Sequence, residues 1–387
     1  MASGIPKRID LLDTLRGIAI IGVVLIHSKN FAVMGMTRFG VPEVEYLSSI
    51  SDFGMYGVEL FFAISGYLIS MLYPRSAVRA EPWSLKSYFA RRFARIWPLW
   101  ALFATLGFAV GISKFENDFY TPWDAVFGDT SSPGAFFHNP AIGLLLSLLF
   151  LGFLSPLLWG VVPGGWSIQN EMANYAIYAA LRRRSLRVFI VALFCLGVLQ
   201  SLSYFITGDP YSPLEVFGRL NVFSSLCFFF LGMCVQMLLG EGEDVIEFRQ
   251  ELTQKTNLAL LFGIAVLIVV NPLTFGNALG ALGFIVAALM ISFLLNALGI
   301  SSLVSLLGRV SYFLYFSHFA VLYVCAHVVW EFSRFATGLP PIGYQAFLTI
   351  FFAVLSICLS VPLAILSWRY IERPIISLVG NKFGKSA

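Results

Sequence analysis

Charge is what this sequence has least of. Only 12% of its 387 residues are Asp, Glu, Lys or Arg, against about 25% in soluble domains, and that shortage excludes an ordinary soluble globular chain. Histidine is scarcer still, with four residues in all. The five cysteines (Cys195, Cys227, Cys234, Cys325 and Cys358) are odd in number, form no CxxC pair and fall inside apolar stretches. Neither a disulfide framework nor a zinc site fits that pattern, so no metal is expected and the cysteines read as packing residues. Low-complexity tracts and internal repeats are missing. So are long polar stretches: 113–140 and 240–256 are the longest, each too short to fold alone. Residues 1–387 are therefore expected to form one domain with no additional soluble domain.

Apolar residues are abundant: 58% of the chain is hydrophobic, with 38 Phe, 15 Tyr and 8 Trp, and aromatic residues gather at membrane interfaces. Crossing the hydrocarbon takes about 20 apolar residues. Segments of that kind lie at 9–29, 52–73, 95–112, 166–182, 187–206, 219–239, 257–272, 275–296, 310–332 and 345–368, which predicts an all-α, polytopic membrane helical bundle of ten transmembrane helices. An eleventh apolar stretch, "AIGLLLSLLFLGFLSPLLWG" (141–160), is interrupted by Pro156.

Basic residues decide how to count it, because short cytoplasmic loops are enriched in Lys and Arg. With ten spans and the N-terminus inside, Lys7/Arg8, Arg75 to Arg95, Arg182 to Arg187, Arg249/Lys255 and Arg369 to Lys385 all fall on the cytoplasmic side. Counting 141–160 as a span would move "RRRSLR" outside, so that stretch is expected to be a re-entrant or interfacial segment on the outer face before the fourth span, where irregular backbone survives only if shielded. Asp10, Asp13 and Arg16 break the first apolar stretch and no A-x-A site follows, so it reads as a retained span and not as a signal peptide. Both termini are expected in the cytoplasm.

Ionisable residues inside such spans are costly and mark function. In "LRGIAIIGVVLIH" (15–27), Arg16 and His27 are eleven residues apart and share one helix face; Asp13 sits one turn before Arg16 as a counter-ion. A structural ion pair with His27 as an end cap is the plainer alternative. The second span carries Glu59, expected at the depth of His27, then Ser65 and Gly66, where a small residue serves either helix packing or a ligand. "ARRFARIW" places Arg91, Arg92 and Arg95 at the start of the third span, against the helix dipole's preference. They suit phosphate, either of a lipid headgroup or of a nucleotide diphosphate. "GGWSIQNEMANYAIY" opens with Trp166, and Ser167, Glu171, Asn174 and Tyr178 then form one stripe at i, i+4, i+7, i+11. The ninth span brings Arg309 at its cytoplasmic edge and His318 near mid-membrane. His138 and His327 are left out of the site.

"LDTLRGIAIIGVVLIH", "GVELFFAISGYLI", "ARRFARIWPLW", "WSIQNEMANYAIY" and "LGRVSYFLYFSHF", in that order over nearly the whole chain, resemble the acyltransferase 3 family of integral-membrane acyltransferases. The resemblance implies transfer of an acyl group, commonly acetyl from acetyl-CoA, to a hydroxyl of a glycan or other extracytoplasmic acceptor. It also implies that Arg16 and His27 are the functional pair of the first span. Met172 departs from the family's usual second acidic residue after Glu171, which weakens any scheme needing a carboxylate pair there.

O-acylation needs a base, a positioned thioester and donors for the developing oxyanion. His27 is the candidate base; Glu171 or Glu59 can orient it; Arg91, Arg92 and Arg95, with Arg16 above them, can hold the donor. Direct transfer is preferred over an acyl-enzyme on Ser65 or Ser167. The expected partners are membrane lipid, acyl-CoA as a co-substrate and a glycan or lipid-linked sugar, with no resident cofactor and no nucleic acid. The expected location is a bacterial inner membrane. A transporter using buried Arg, His and Glu as a relay is the rival, disfavoured by the missing repeat.

Overall fold

Runs of about twenty apolar residues can bury their backbone polar groups in lipid only by bonding them internally, and among the described residues these runs fold as helices. The computed structural model describes residues 5–72, 84–109, 140–151, 165–181, 186–207, 222–239, 246, 250–270 and 272–382. Among the described residues there is no strand. Residues 152–160 of the expected re-entrant stretch, His138, most of the 113–140 loop and Arg182 to Arg184 lie outside them, as do the side chains of Lys7, Arg8, Trp166 and His327.

The helices are α1 (Ile5–Arg38), α2 (Glu45–Asp52), α3 (Gly57–Leu72), α4 (Leu85–Ala109), α5 (Pro140–Leu148), α6 (Gly165–Leu181) and α7 (Leu186–Thr207), followed by α8 (Val222–Leu239), α9 (Lys255–Val270) and α10 (Pro272–Ala297). The last four are α11 (Ser301–Arg309), α12 (Ser311–Ser333), α13 (Pro341–Ser367) and α14 (Arg373–Lys382). Among the described residues, four stretches are long and apolar enough to cross a membrane: Leu11–Arg38, Glu45–Leu72, Ala278–Ala297 and Pro341–Lys382. A fifth is added if Ser311–Ala326 and Val328–Gly338, bent by 56°, count as one span. The chain is an integral membrane protein, all-helical among its described residues.

Contacts group the chain into two compact units, Met1–Phe61 with Leu279–Leu378, and Phe62–Ala278 with Val379–Ala387. In the first, α1 packs on α11, α12 and α13. Two glycines end its long helices: Gly40 (φ 69°) and Gly299 (φ 71°) adopt the left-handed turn. The bonds Val41 N–H to Met36 O (2.9 Å) and Ile300 N–H to Leu295 O (3.0 Å) close each helix C-terminus, as left-handed caps do. Glycines also set the closest approaches. A Cβ on Gly17 would strike the Val304 carbonyl, and one on Gly308 the Asp13 carbonyl, so α1 and α11 touch backbone to backbone.

In the second unit, α8 packs on α6 and α7, and α9 on α7. A Cβ on Gly66 would strike the Phe229 carbonyl and one on Gly232 the Ala63 carbonyl. That reciprocal contact of α3 with α8 resolves the two readings of Gly66 in favour of helix packing. The nine-residue helix α5 rises only about 14 Å. Its last carbonyls, of Ser147 and Leu148, accept the indole N–H groups of Trp100 (2.7 Å) and Trp97 (3.0 Å) from α4. The chain then turns through Phe150 at φ 58°, whose ring stacks on Trp100. The five cysteines form no disulfide, and Cys195 and Cys358 are exposed; those two face outward on apolar helices, and so are not the packing residues expected.

Candidate active site

Two clusters of polar side chains are built into the helices, one in each unit. In the first unit Arg16 Nη1 lies 4.0 Å from Asp13 Oδ1, with both side chains about 15% exposed. Since α11 seats Gly308 on the Asp13 backbone, this ion pair lies where the two helices are closest. Arg309, the next residue, is exposed.

Three turns further along α1, His27 is partly buried. Its ring meets the edge of Phe319 (centroids 5.4 Å, 78°) and lies 5.2 Å from the ring of His318 at an angle of 30°. His318 is 2% exposed. Its Nδ1 is 2.8 Å from the Leu314 carbonyl one turn back, and its own carbonyl accepts the Ser356 hydroxyl of α13 at 3.3 Å. The Nε2 atom is buried without a hydrogen-bond partner, as are the hydroxyls of Ser28 and Ser317. Lys29, next to Ser28, is paired with Asp52 at 2.8 Å, which ties α1 to the end of α2.

Glu59 sits deeper than expected. Gly54 abuts the backbone of Gly22 and Gly57 that of Ala19, so the two chain segments run antiparallel with the Cα of Glu59 level with Gly17. That is ten residues below His27, about 15 Å at 1.5 Å per residue. Helical side chains lean toward their own N-terminus, so Glu59 reaches up and His27 down, narrowing the gap. Glu59 is 6% exposed, and its Oε2 has no hydrogen-bond partner.

In the second unit the stripe of α6 faces inward at Ser167, Asn174 and Tyr178, which are all buried. Glu171 Oε1 accepts the hydroxyl of Ser65 at 3.0 Å and also that of Tyr175. The Tyr88 hydroxyl of α4 donates to the Tyr175 carbonyl at 3.2 Å, and the guanidinium of Arg92 stands over the Tyr175 ring at 5.7 Å. Arg91 donates to Ser87 Oγ through Nη2 (2.6 Å) and Nε (3.2 Å). Arg95 is partly buried one turn on. Asn174 Nδ2 reaches Ser225 Oγ at 3.4 Å, while its Oδ1 and the Oε1 of Gln169 are buried acceptors without partners. Buried acceptors of that kind suit hydroxyl-bearing ligands, because leaving them unsatisfied costs about 1–3 kcal/mol each.

Tyr175 and Gln169 were not singled out by the sequence. Tyr175 stands four residues after Glu171, the spacing at which helical side chains meet, so the signal was present. Gln169 falls off the stripe and gave none.

The family described as an acyltransferase domain matches residues 9–369. The O-acetyltransferase OatA of Staphylococcus aureus is 24% identical over 402 aligned residues, covering 96% of this chain and 57% of that protein. The chain therefore spans little more than half the length of those staphylococcal relatives. Protein 2 in the picA locus of Rhizobium radiobacter is 32% identical over 182 residues, covering 46% of this chain and 85% of that protein. A putative acetyltransferase, ORF330, of Acidianus two-tailed virus is 26% identical over 290 residues, 67% of this chain and 74% of its own length. No solved structure matches.

Proposed function

This chain belongs to the acyltransferase family matched over residues 9–369, and from that premise we propose that it moves an acyl group, acetyl foremost, from cytoplasmic acyl-CoA to a hydroxyl of an extracytoplasmic or lipid-linked glycan. The observation that carries the reading is the match along nearly the full chain, joined to an imidazole, a guanidinium and carboxylates held inside apolar helices. The printed name of the staphylococcal relatives, O-acetyltransferase, supports acetyl as the group and oxygen as its destination.

His27 is the base. An imidazole is the side chain whose ordinary pKa, near 6.5, lets it take and return a proton at neutral pH. Arg91, Arg92 and Arg95 hold the phosphates of the donor, which guanidinium groups grip in pairs of parallel hydrogen bonds. Arg16, fixed by Asp13, supplies positive charge for the oxyanion that develops on the thioester carbonyl. Glu171, oriented by Ser65 and Tyr175, and the acceptor oxygens of Gln169 and Asn174 take hydroxyl groups of the acceptor. Glu59 and His318 support the base. With ten spans and both termini in the cytoplasm of a bacterial inner membrane, the donor reaches Arg91, Arg92 and Arg95 from the cytoplasmic side. No resident cofactor is needed, since the thioester carries the activation.

The test is direct. Purified protein in detergent releases free thiol from acetyl-CoA when a glycan acceptor is added, and mass spectrometry of the acceptor gains an acetyl increment. Thiol release without acetylated product, or neither, would refute the reading.

A further inference from the structure

A carbonyl oxygen only accepts hydrogen bonds. The 2.8 Å contact between His318 Nδ1 and the Leu314 carbonyl therefore puts the ring proton on Nδ1 and leaves Nε2 as a lone-pair acceptor. That acceptor is buried and has no partner, in a side chain only 2% exposed. The ring facing it is that of His27, at 5.2 Å and 30°. Two imidazoles joined through an N–H···N bond of about 3 Å have centroids about 5 Å apart; the two rings stand at that spacing with the bond unmade, so a turn of the His27 ring about its side-chain bonds is enough to make it. Phe319 stands edge-on to both rings, 5.4 Å from His27 and 6.4 Å from His318, and limits how far either can swing.

The geometry points to His318 as the positioning residue of His27: once the His27 ring turns toward it, its Nε2 accepts one ring N–H of His27, which fixes the tautomer of His27 and leaves the other nitrogen as the base. This inference rests on the proposed role of His27. In the transfer step the acceptor's hydroxyl oxygen bonds to the thioester carbonyl carbon and its proton passes to the free nitrogen of His27. The carbon–sulfur bond breaks with its electron pair on sulfur, and the proton on His27 then moves to the thiolate, giving ester and free thiol. His318 gains and loses nothing. It keeps its Nδ1–H on Leu314, while its Nε2 faces a cationic N–H for the lifetime of the imidazolium, and such a charge-assisted bond is stronger than the neutral one before it. An interaction that strengthens toward the transition state acts on turnover and not on donor binding.

Two substitutions separate this role from mere packing. In His318→Asn the amide can still donate to Leu314 but nothing stands where Nε2 stood; in His318→Gln the terminal oxygen can occupy that place and accept from His27. Acetyl transfer from labelled acetyl-CoA to the acceptor is measured for the full chain in detergent, for wild type, His27→Ala and both His318 variants, each shown to be monodisperse. His318→Asn should lower kcat about 10–100-fold, the scale on which loss of a group orienting a metal-bound imidazole is felt, with the KM for acetyl-CoA unchanged. His318→Gln should recover most of that loss. Wild-type kcat in His318→Asn, equal losses in both variants, or a loss confined to KM would overturn the role of His318 while an inactive His27→Ala leaves that of His27 standing. Wild-type transfer by His27→Ala would instead overturn the proposed base, and the role of His318 with it. Should His318→Asn not yield folded protein, folded His318→Gln decides alone: near-wild-type kcat supports the role, and turnover as low as that of His27→Ala overturns it.

Discussion

The hydroxyl of Ser65 and the carboxylate of Glu171, 106 residues apart in the chain, are joined by a hydrogen bond of 3.0 Å. It ties α3 to α6, and the same carboxylate oxygen also takes the Tyr175 hydroxyl. Side-chain hydrogen bonds within membranes are worth about 0.6 kcal/mol on average and about 1.7 kcal/mol at most. Ser65→Ala should therefore cost stability in that range, whereas Glu171→Ala, which strands two hydroxyls, should cost more than twice as much. Thermal unfolding in detergent checks the order. Acetyl transfer should fall far more in Glu171→Ala than in Ser65→Ala, since only the former removes the carboxylate.

Gly66 is fixed by the Phe229 carbonyl and not by a ligand. Gly66→Val should therefore reduce the yield of monodisperse protein, at a cost of about 1–3 kcal/mol or more for overpacking. Gly232→Val, the reciprocal position, should do the same. A well-folded Gly66→Val that has lost only transfer would return Gly66 to the substrate site.

The positions of the helices were legible because lipid demands apolar runs of one length. The helices α1, α3, α4, α6, α7, α8, α9, α10, α12 and α13 overlap the ten expected spans. The face of each helix was legible too: the period that aligned Ser167, Asn174 and Tyr178 correctly pointed them inward. What a period cannot give is the neighbour. His27 and His318 are 291 positions apart, and nothing in either segment says that their rings meet. Depth failed for a related reason. Counting along the second span put Glu59 level with His27, but its register is set by backbone contact of Gly54 with Gly22 and Gly57 with Ala19, and those contacts carry it deeper.

Charge removal on α4 should act on the donor. Each of Arg91→Ala, Arg92→Ala and Arg95→Ala should raise the KM for acetyl-CoA about 10-fold, corresponding to loss of a charge-assisted bond of about 1.4 kcal/mol, with little change in kcat. Arg92→Ala also removes the cation over the Tyr175 ring, so it should lose stability as well. Unchanged KM in all three would leave the arginines as lipid anchors.

Arg16 is held by Asp13 at one turn's distance. If its guanidinium presents a planar fork to the reacting carbonyl, lysine cannot replace it. Arg16→Lys should keep the fold and recover less than about a tenth of kcat, the scale on which one oriented donor to an oxyanion is felt. Full activity in Arg16→Lys would show that charge alone suffices.

The central claim is that the imidazole of His27 takes the proton from the acceptor hydroxyl, and a single comparison tests it most directly. Wild type and His27→Ala are purified in the same detergent, matched for monodispersity and thermal stability, and supplied with labelled acetyl-CoA and a glycan acceptor. The account predicts that His27→Ala binds acetyl-CoA with unchanged affinity and transfers no label above background, because the substitution removes a base and little packing volume. Label transferred to the acceptor by folded His27→Ala at a rate near wild type would contradict it.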